Sequence, residues 1–174
     1  MVKQKIFMQT FTYSFFWRFI YRYGNLFITP LLLLYALSLL TLIDKNLIVL
    51  IPFLLSLFIL YYLNKSYISF YKLVPYKIEV DDEKIICTDF LFRNKTITII
   101  LKEIESISGG IFEGRYRGLM KVCDGKNKLC IGFFDRLKNS SKLVTIILSK
   151  VDKKIYDKAI EHIQSSKIKP GIKN

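Results

Sequence analysis

Residues 26–43 read LFITPLLLLYALSLLTLI and residues 47–63 read LIVLIPFLLSLFILYYL, with only Asp44, Lys45 and Asn46 between the two runs. Neither run contains a formally charged side chain. A bilayer core about 30 Å thick is crossed by roughly 20 apolar residues of α-helix, and the aromatic flanks can supply missing turns. The stretch therefore predicts an antiparallel transmembrane hairpin over residues 26–63, with Pro30 tolerated near the start of its first helix. The alternative is a buried helical hairpin of a soluble protein.

The distribution of charge predicts how such a hairpin would be oriented. The formal net charge is +13, and basic residues predominate both before and after the apolar runs, while the turn between them holds one charge of each sign. By the positive-inside rule, this pattern favours an inner-membrane protein with both termini in the cytoplasm. We expect membrane lipids rather than nucleic acid to be the anionic surface that it meets. Since lysine is heavily used throughout, part of the charge can equally be compositional bias.

Aromatic and basic residues flank the hairpin on both sides, in residues 1–25 and 64–75. This composition predicts that Lys5 to Tyr23 form a helix in the cytoplasmic interface, before a turn at Gly24-Asn25. Two alternatives stay open for residues 1–25, namely an extension of the first span and a protein contact surface. Residues 64–75 are predicted to form a juxtamembrane collar that ends at Pro75. The predicted membrane-interface residues are Trp17, Arg18, Tyr21, Arg22, Tyr67 and Tyr71.

From Tyr76 onward the hydrophobic period changes from helical to two. Short alternating or β-branched segments follow at intervals of about ten residues, and Asp124-Gly125 is a strong hairpin signal. This pattern predicts six or seven antiparallel strands in a sandwich or barrel. Gly109-Gly110 suggests a bulge, and Asn139-Ser140-Ser141 supplies a cap for a closing helical region. We therefore predict a β domain over residues 76–166 and a basic tail over residues 167–174.

The three cysteines, Cys87, Cys123 and Cys130, show no CxxC spacing, and the single histidine is His162. The sequence therefore argues against a disulfide framework and a zinc site, and it favours cysteines packed on strands in a reducing compartment. Neither a phosphate-binding glycine loop nor a catalytic constellation is recognisable. His162 is interpreted as a surface residue. We predict a protein that is not an enzyme, with no catalytic residues, no metal ligands and no cofactor.

Strands followed by a closing helix resemble the order of a pleckstrin-homology-like domain. Residues Leu101-Lys-Glu-Ile-Glu-Ser-Ile107, the hairpin at Asp124-Gly125 and the helix start at Asn139 resemble the membrane-anchored bacterial pleckstrin-homology-like proteins, including the YcxB-like group. The resemblance implies an α+β membrane protein, in which a transmembrane hairpin precedes a cytoplasmic, bent antiparallel sheet or barrel capped by a C-terminal helix. It also implies a binding or assembly role. The acidic loop Asp81-Asp82-Glu83 departs from the basic first loop of phosphoinositide-binding relatives, which makes a lipid headgroup site there improbable.

The candidate binding residues are basic side chains on predicted turns. Arg115 and Arg117 flank an aromatic residue on a glycine-bounded loop, where they could contact phosphate, an acidic partner or a membrane surface. An ordinary exposed turn is the alternative. The full candidate set is Arg115, Tyr116, Arg117, Lys126 and Lys128. We predict a non-enzymatic, membrane-anchored module that binds a protein partner or self-associates; an accessory subunit of a transport, secretion or defence complex and an anionic-lipid sensor are the alternatives.

Overall fold

The structure, a computed structural model, describes residues 8–91, 94–115 and 117–167. It is an α+β protein with two long apolar helices and two antiparallel sheets. The chain divides into two compact units. One consists of the helical hairpin Phe15–Lys72, and the other combines the chain up to Ser14 with the part that begins at Leu73.

Two long helices form the hairpin. Helix α1 spans Phe15–Leu40, and helix α2 spans Leu50–Leu73 after a 3-10 turn at Leu47–Val49. Both are long and apolar enough to cross a membrane, and only 6% and 11% of their most apolar windows are buried. Because a core helix of a soluble protein would be mostly covered, this exposure does not fit the alternative of a buried soluble hairpin. Asn46 caps the 3-10 turn that leads into α2, because its side chain accepts a hydrogen bond from the Ile48 amide at 3.0 Å.

Two predicted details of the hairpin are wrong. Gly24 and Asn25 lie inside α1 rather than at a turn, because that helix begins eleven residues earlier than the apolar run suggests. For the same reason Pro30 is an interior residue of α1, whereas Pro52 occupies the first turn of α2, where a proline amide is not needed. The predicted collar at residues 64–75 consists largely of the last three turns of α2, which ends two residues before Pro75.

The prediction of a helix from Lys5 to Tyr23 is also wrong for the described residues before Ser14. Strand β1, Gln9–Thr12, precedes the hairpin and pairs antiparallel with strand β2, Lys77–Val80, which follows it. The alternation of side chains explains why this segment is a strand, because alternate residues of a strand share one face. Phe11 and Tyr13 are only 2% and 4% exposed in the core of the β domain. The domain predicted to begin at residue 76 therefore includes a strand from the other end of the hairpin.

The remaining strands follow the predicted alternation closely. Strands β3 (Lys84–Thr88) and β4 (Ile97–Ile100) complete a sheet of order β1-β2-β3-β4. Strands β5 (Ile104–Ser108), β6 (Leu119–Asp124) and β7 (Leu129–Phe134) form a second sheet in sequence order. A β-bridge joins Tyr13 to Leu137, but the sheets of the described chain do not close into a barrel.

Two helices complete the β domain. Helix α3, Ser140–Lys150, buries its apolar stripe of Leu143, Val144 and Ile147. Helix α4, Lys153–Lys167, follows as a separate helix and packs beside β5. Asn139 begins α3 as predicted, but in a left-handed conformation and without a side-chain cap. Gly109-Gly110 leads into a 3-10 helix, Gly110–Glu113, while the irregular register lies earlier, between Ile104 and Ser106.

Candidate functional site

A groove runs along the outer edge of β5, the edge strand of its sheet. Its main cavity has a volume of about 520 Å³ and lies between β5 with the following 3-10 helix on one side and α4 on the other. A second cavity of about 470 Å³ shares Glu105, Lys154 and Ile155 with it and therefore adjoins it. We call these two adjoining cavities, which are lined mainly by residues of β5, Gly110–Glu113 and α4, the edge groove.

Local sequence explains why the groove has these walls. Gly109 and Gly110 adopt φ values of +75° and +47°, which turn the chain out of β5 into the 3-10 helix. That helix buries Phe112 against the domain and places Glu113 and Arg115 at one end of the groove. On the other wall, α4 buries Ala159 and presents Lys154, Lys158 and His162 at spacings of four residues, on one face of the helix.

The structure brings two of the five candidate binding residues to this groove, at opposite ends. Arg115 lines the main cavity and lies 3.7 Å from a carboxylate oxygen of Glu113. Lys126 lines the adjoining cavity, and its Nζ donates a hydrogen bond to Glu103 Oε1 at 2.8 Å. This hydrogen bond, and the charge of Glu103, raise the pKa of Lys126 above its ordinary value. Both cations therefore have carboxylates as neighbours.

The other three candidates do not join this site. Arg117 is exposed and is not among the residues that line either cavity. Lys128 is an exposed turn residue with φ +52°, outside both cavities. Tyr116 lies outside the described residues. The described residues therefore do not bring these candidate side chains together in a single basic patch.

The turn beside Lys126 is held by a buried carboxylate. Asp124 is 1% exposed, and it accepts hydrogen bonds from the Asn127 side chain at 2.7 Å and the Asn127 amide at 3.2 Å. These hydrogen bonds hold the pKa of Asp124 below its ordinary value, and the bond from the Asn127 side chain contributes most. The acidic first loop works similarly, because Asp81 accepts the amides of Glu83 and Lys84, each at 2.8 Å. In both loops, the acidic side chain stabilises the turn by accepting hydrogen bonds from backbone amides.

The prediction of unpaired cysteines is wrong for Cys123 and Cys130, which form a disulfide between β6 and β7. The two residues are direct register partners with Cα atoms 4.1 Å apart, so the antiparallel ladder itself brings the sulfur atoms together. Cys87 is a buried free cysteine, as expected from its place on a strand, and burial raises the pKa of its thiol. Among the described residues, no group of three His, Cys, Asp or Glu side chains is arranged to hold a metal ion.

The predicted membrane-interface aromatics come together at the open end of the hairpin, away from the Asp44–Asn46 turn. Trp17 and Tyr21 of α1 have ring centroids 5.6 Å apart, and Tyr21 contacts Phe70 of α2 at 6.0 Å. Tyr67 completes the aromatic cluster, with ring centroids 5.7 Å from Tyr71 and 6.3 Å from Phe70. Arg18 and Arg22 line a shallow cavity of about 200 Å³ with aromatic residues of α1 instead.

A polar contact between the helices lies next to this cluster and was not predicted. The Asn25 side-chain amide donates to Asn64 Oδ1 at 3.0 Å, and Thr29 Oγ1 lies 3.3 Å from the same oxygen. Asn64 in turn donates to the Leu60 carbonyl at 2.9 Å. The only available sequence signal was one asparagine at the outer boundary of each apolar run.

The edge groove was also missed, although its α4 wall left a trace in the sequence. Lys154, Lys158 and His162 recur every four residues next to the apolar Ile155 and Ala159, and the opposite wall comes from residues about fifty positions earlier. Comparison of this chain with protein-family models, with curated proteins and with solved structures gave no match.

Proposed function

We propose that this chain is a non-enzymatic, membrane-anchored binding module, in which a pleckstrin-homology-like domain at the cytoplasmic membrane face engages a protein partner or a second copy. The order of elements supports the resemblance. Four antiparallel strands in one sheet and three in the next are followed by helices, an order that favours the proposal. The first of the seven strands comes from before the hairpin.

The membrane anchor is supported by the uncovered apolar faces of α1 and α2. Leu47 and Ile48, at the start of the second apolar run, are 76% and 71% exposed, which contact with lipid would cover. Because β1 and β2 belong to one sheet, the two ends of the hairpin must emerge on the same side of a bilayer. The basic flanks assign that side to the cytoplasm.

The binding role rests on one observation, the edge groove beside an edge strand. A sheet edge with a groove along it is a common way to hold an extended segment of another chain. The test is site-specific photo-crosslinking in the native membrane, with benzoylphenylalanine placed at Ser108 or Lys158 in the groove and at Lys142 of α3 as the control. We expect crosslinked product from the groove positions only. Their failure to crosslink any protein would overturn the proposal, and the product's mass separates self-association from a distinct partner.

The accessory-subunit alternative has its own supporting observation. Phe15 and Phe16, at the start of α1, are 86% and 63% exposed, which gives partner helices an aromatic surface. If the protein is a subunit, benzoylphenylalanine at Phe16 will crosslink to one membrane protein in stoichiometric yield, rather than to lipid. The lipid-sensor alternative is less well supported, because carboxylates lie next to both Arg115 and Lys126.

A further inference from the structure

We infer that the edge groove binds an extended, acidic peptide segment of a partner protein, which adds to β5 as a further antiparallel strand. This inference rests on the proposed binding function and specifies the chemistry of its ligand. It combines three features of the groove: a free strand edge, an apolar floor and a cationic helical wall.

The first feature is the free edge of β5. Among the strands of the described residues, it pairs with β6 alone. In the described part of the chain, the backbone hydrogen bonds outside the strand ladders involve none of residues 104–108. An edge strand directs alternate N–H and C=O groups away from its sheet, and a second extended chain can satisfy them. The exposed side chains of Ser106 and Ser108 are small, so a peptide backbone can approach closely.

The second feature is the apolar floor between the two walls. Phe112 and Ala159 are 2% and 3% exposed, and Ile107 and Ile155 are half-buried beside them. In an added strand, every second side chain points to the same face. A ligand that places apolar side chains at alternate positions would therefore bury them on this floor.

The third feature is the charge of the α4 wall. Lys154, Lys158 and His162 of α4 line the main cavity, whereas Asp157 and Glu161 of the same helix do not. Asp152, which precedes the helix, and Glu103 line the adjoining cavity only. On the opposite wall, Glu113 lies beside Arg115, and the carboxylate of Glu105 is packed against Gly125 in the β6–β7 turn. In the main cavity, where Glu113 lies beside Arg115 and Glu105 beside Gly125, Lys154 and Lys158 are thus the cations that a ligand meets on the α4 wall. Complementarity then requires acidic side chains in the peptide.

The first experiment selects ligands for the full-length protein in nanodiscs from a phage-displayed library of random dodecapeptides. We expect enriched peptides in which Asp or Glu alternates with apolar residues. Their affinity should fall by about tenfold or more for the variant Lys154→Glu/Lys158→Glu. The matched variant Lys150→Glu/Lys153→Glu makes the same charge change at exposed positions outside the groove and should bind like the wild type. Failure to enrich any peptide, or equal binding to both variants, would overturn the inference.

A second experiment tests strand addition itself. Each backbone amide of one enriched peptide is N-methylated in turn, and binding is measured by fluorescence anisotropy. Methylation should abolish binding at every second residue and be tolerated between those positions, since only alternate amides of an added strand face β5. Uniform tolerance would exclude this binding mode. If crosslinking from Ser108 persists while both peptide experiments fail, the binding function stands and the acidic-strand ligand does not.

Discussion

Thr12 and Lys77 are register partners in the first antiparallel strand pair, although the whole apolar hairpin Phe15–Lys72 lies between them in the chain. The hairpin is therefore an insertion within the β domain rather than a leader in front of it. Phe11 and Tyr13 supply buried aromatic rings to that domain, and Tyr13 Oη accepts a hydrogen bond from the Phe134 amide at 2.9 Å. Cutting the chain after the hairpin removes both rings from the domain.

The first prediction is that the β domain needs residues 8–13 for stability. A fragment of residues 76–167 lacks Phe11, whose loss alone should cost about 3–5 kcal/mol, as for other buried Phe→Ala changes. Joining residues 8–13 to residue 76 through a short Gly-Asn turn should restore cooperative unfolding, because β1 and β2 are antiparallel neighbours. Urea unfolding followed by circular dichroism measures the difference. Equal stability of the two fragments would contradict the observed strand pairing.

The second prediction concerns Gly109, which shapes one wall of the edge groove. Its φ of +75° disfavours any side chain, and an added methyl group would meet the carbonyl oxygen of Leu119 in β6. Gly109→Ala should therefore destabilise the full-length protein by more than about 1 kcal/mol. Gly24→Ala is the control, since the nearest atom to its added methyl group is Tyr67 Oη at an ordinary 3.7 Å. Thermal unfolding in detergent compares the two variants, and an equal effect would contradict the steric argument.

Regular local patterns made much of this fold predictable from sequence. Strands β2 to β7 each follow a period-two alternation or a β-branched run between turn residues, and α3 has a clean helical stripe. The apolar runs identified α1 and α2 because their length and composition fit few other structures. These signals are complete within a window of about ten to twenty residues.

What the sequence did not reveal depends on distant partners. The four residues of β1 alternate too briefly to be distinguished from the aromatic start of α1, and their partner β2 is visible only in the fold. The disulfide depends on the register that places Cys123 opposite Cys130. Likewise, Arg115 and Lys126 were candidates by composition, but the wall that α4 provides opposite them required its tertiary position.

The third prediction uses the disulfide to test the proposed cytoplasmic location of the β domain. Because cytoplasmic glutathione keeps thiols reduced, a cytoplasmic domain should hold Cys123 and Cys130 as thiols in growing cells and oxidise them after lysis in air. Acid quenching followed by alkylation and mass spectrometry should then count three alkylated cysteines. After air oxidation, denaturation without reductant should leave Cys87 alone to be alkylated. A disulfide already present at the quench would contradict the cytoplasmic orientation.

The same pair allows a measurement of stability. The disulfide closes a short loop, with a sequence separation of seven residues, and chain-entropy reasoning gives about 2–3 kcal/mol for its removal. Cys123→Ser/Cys130→Ser should lower the free energy of unfolding of the oxidised protein by that amount and leave the reduced protein nearly unchanged. Cys87→Ser is unsuitable as a control, because that thiol is fully buried.

The fourth prediction concerns the acid sensitivity of the β6–β7 turn. The hydrogen bonds from Asn127 lower the pKa of Asp124 in the folded protein below its ordinary value of 3.8. A depressed folded pKa contributes stability that is fully present above the unfolded value and is lost as the pH falls through the folded value. As the pH is lowered from about 6 to about 2.5, the thermal unfolding temperature should therefore fall more steeply for the wild type than for Asp124→Asn. Parallel profiles would show that this carboxylate does not drive the acid sensitivity.

The last prediction concerns the polar contact between α1 and α2. Asn25 and Asn64 share a 3.0 Å hydrogen bond at the outer boundaries of the two apolar runs, and such bonds contribute about 0.6–2 kcal/mol in a membrane environment. A double-mutant cycle of Asn25→Ala and Asn64→Ala, with thermal stability measured in detergent, should give a coupling energy in that range. Ser38→Ala with Asn64→Ala is the control cycle, because Ser38 Oγ donates to the Leu34 carbonyl of its own helix. Its coupling should be near zero, and a similar value in both cycles would mean that Asn25 and Asn64 do not hold the helices in register.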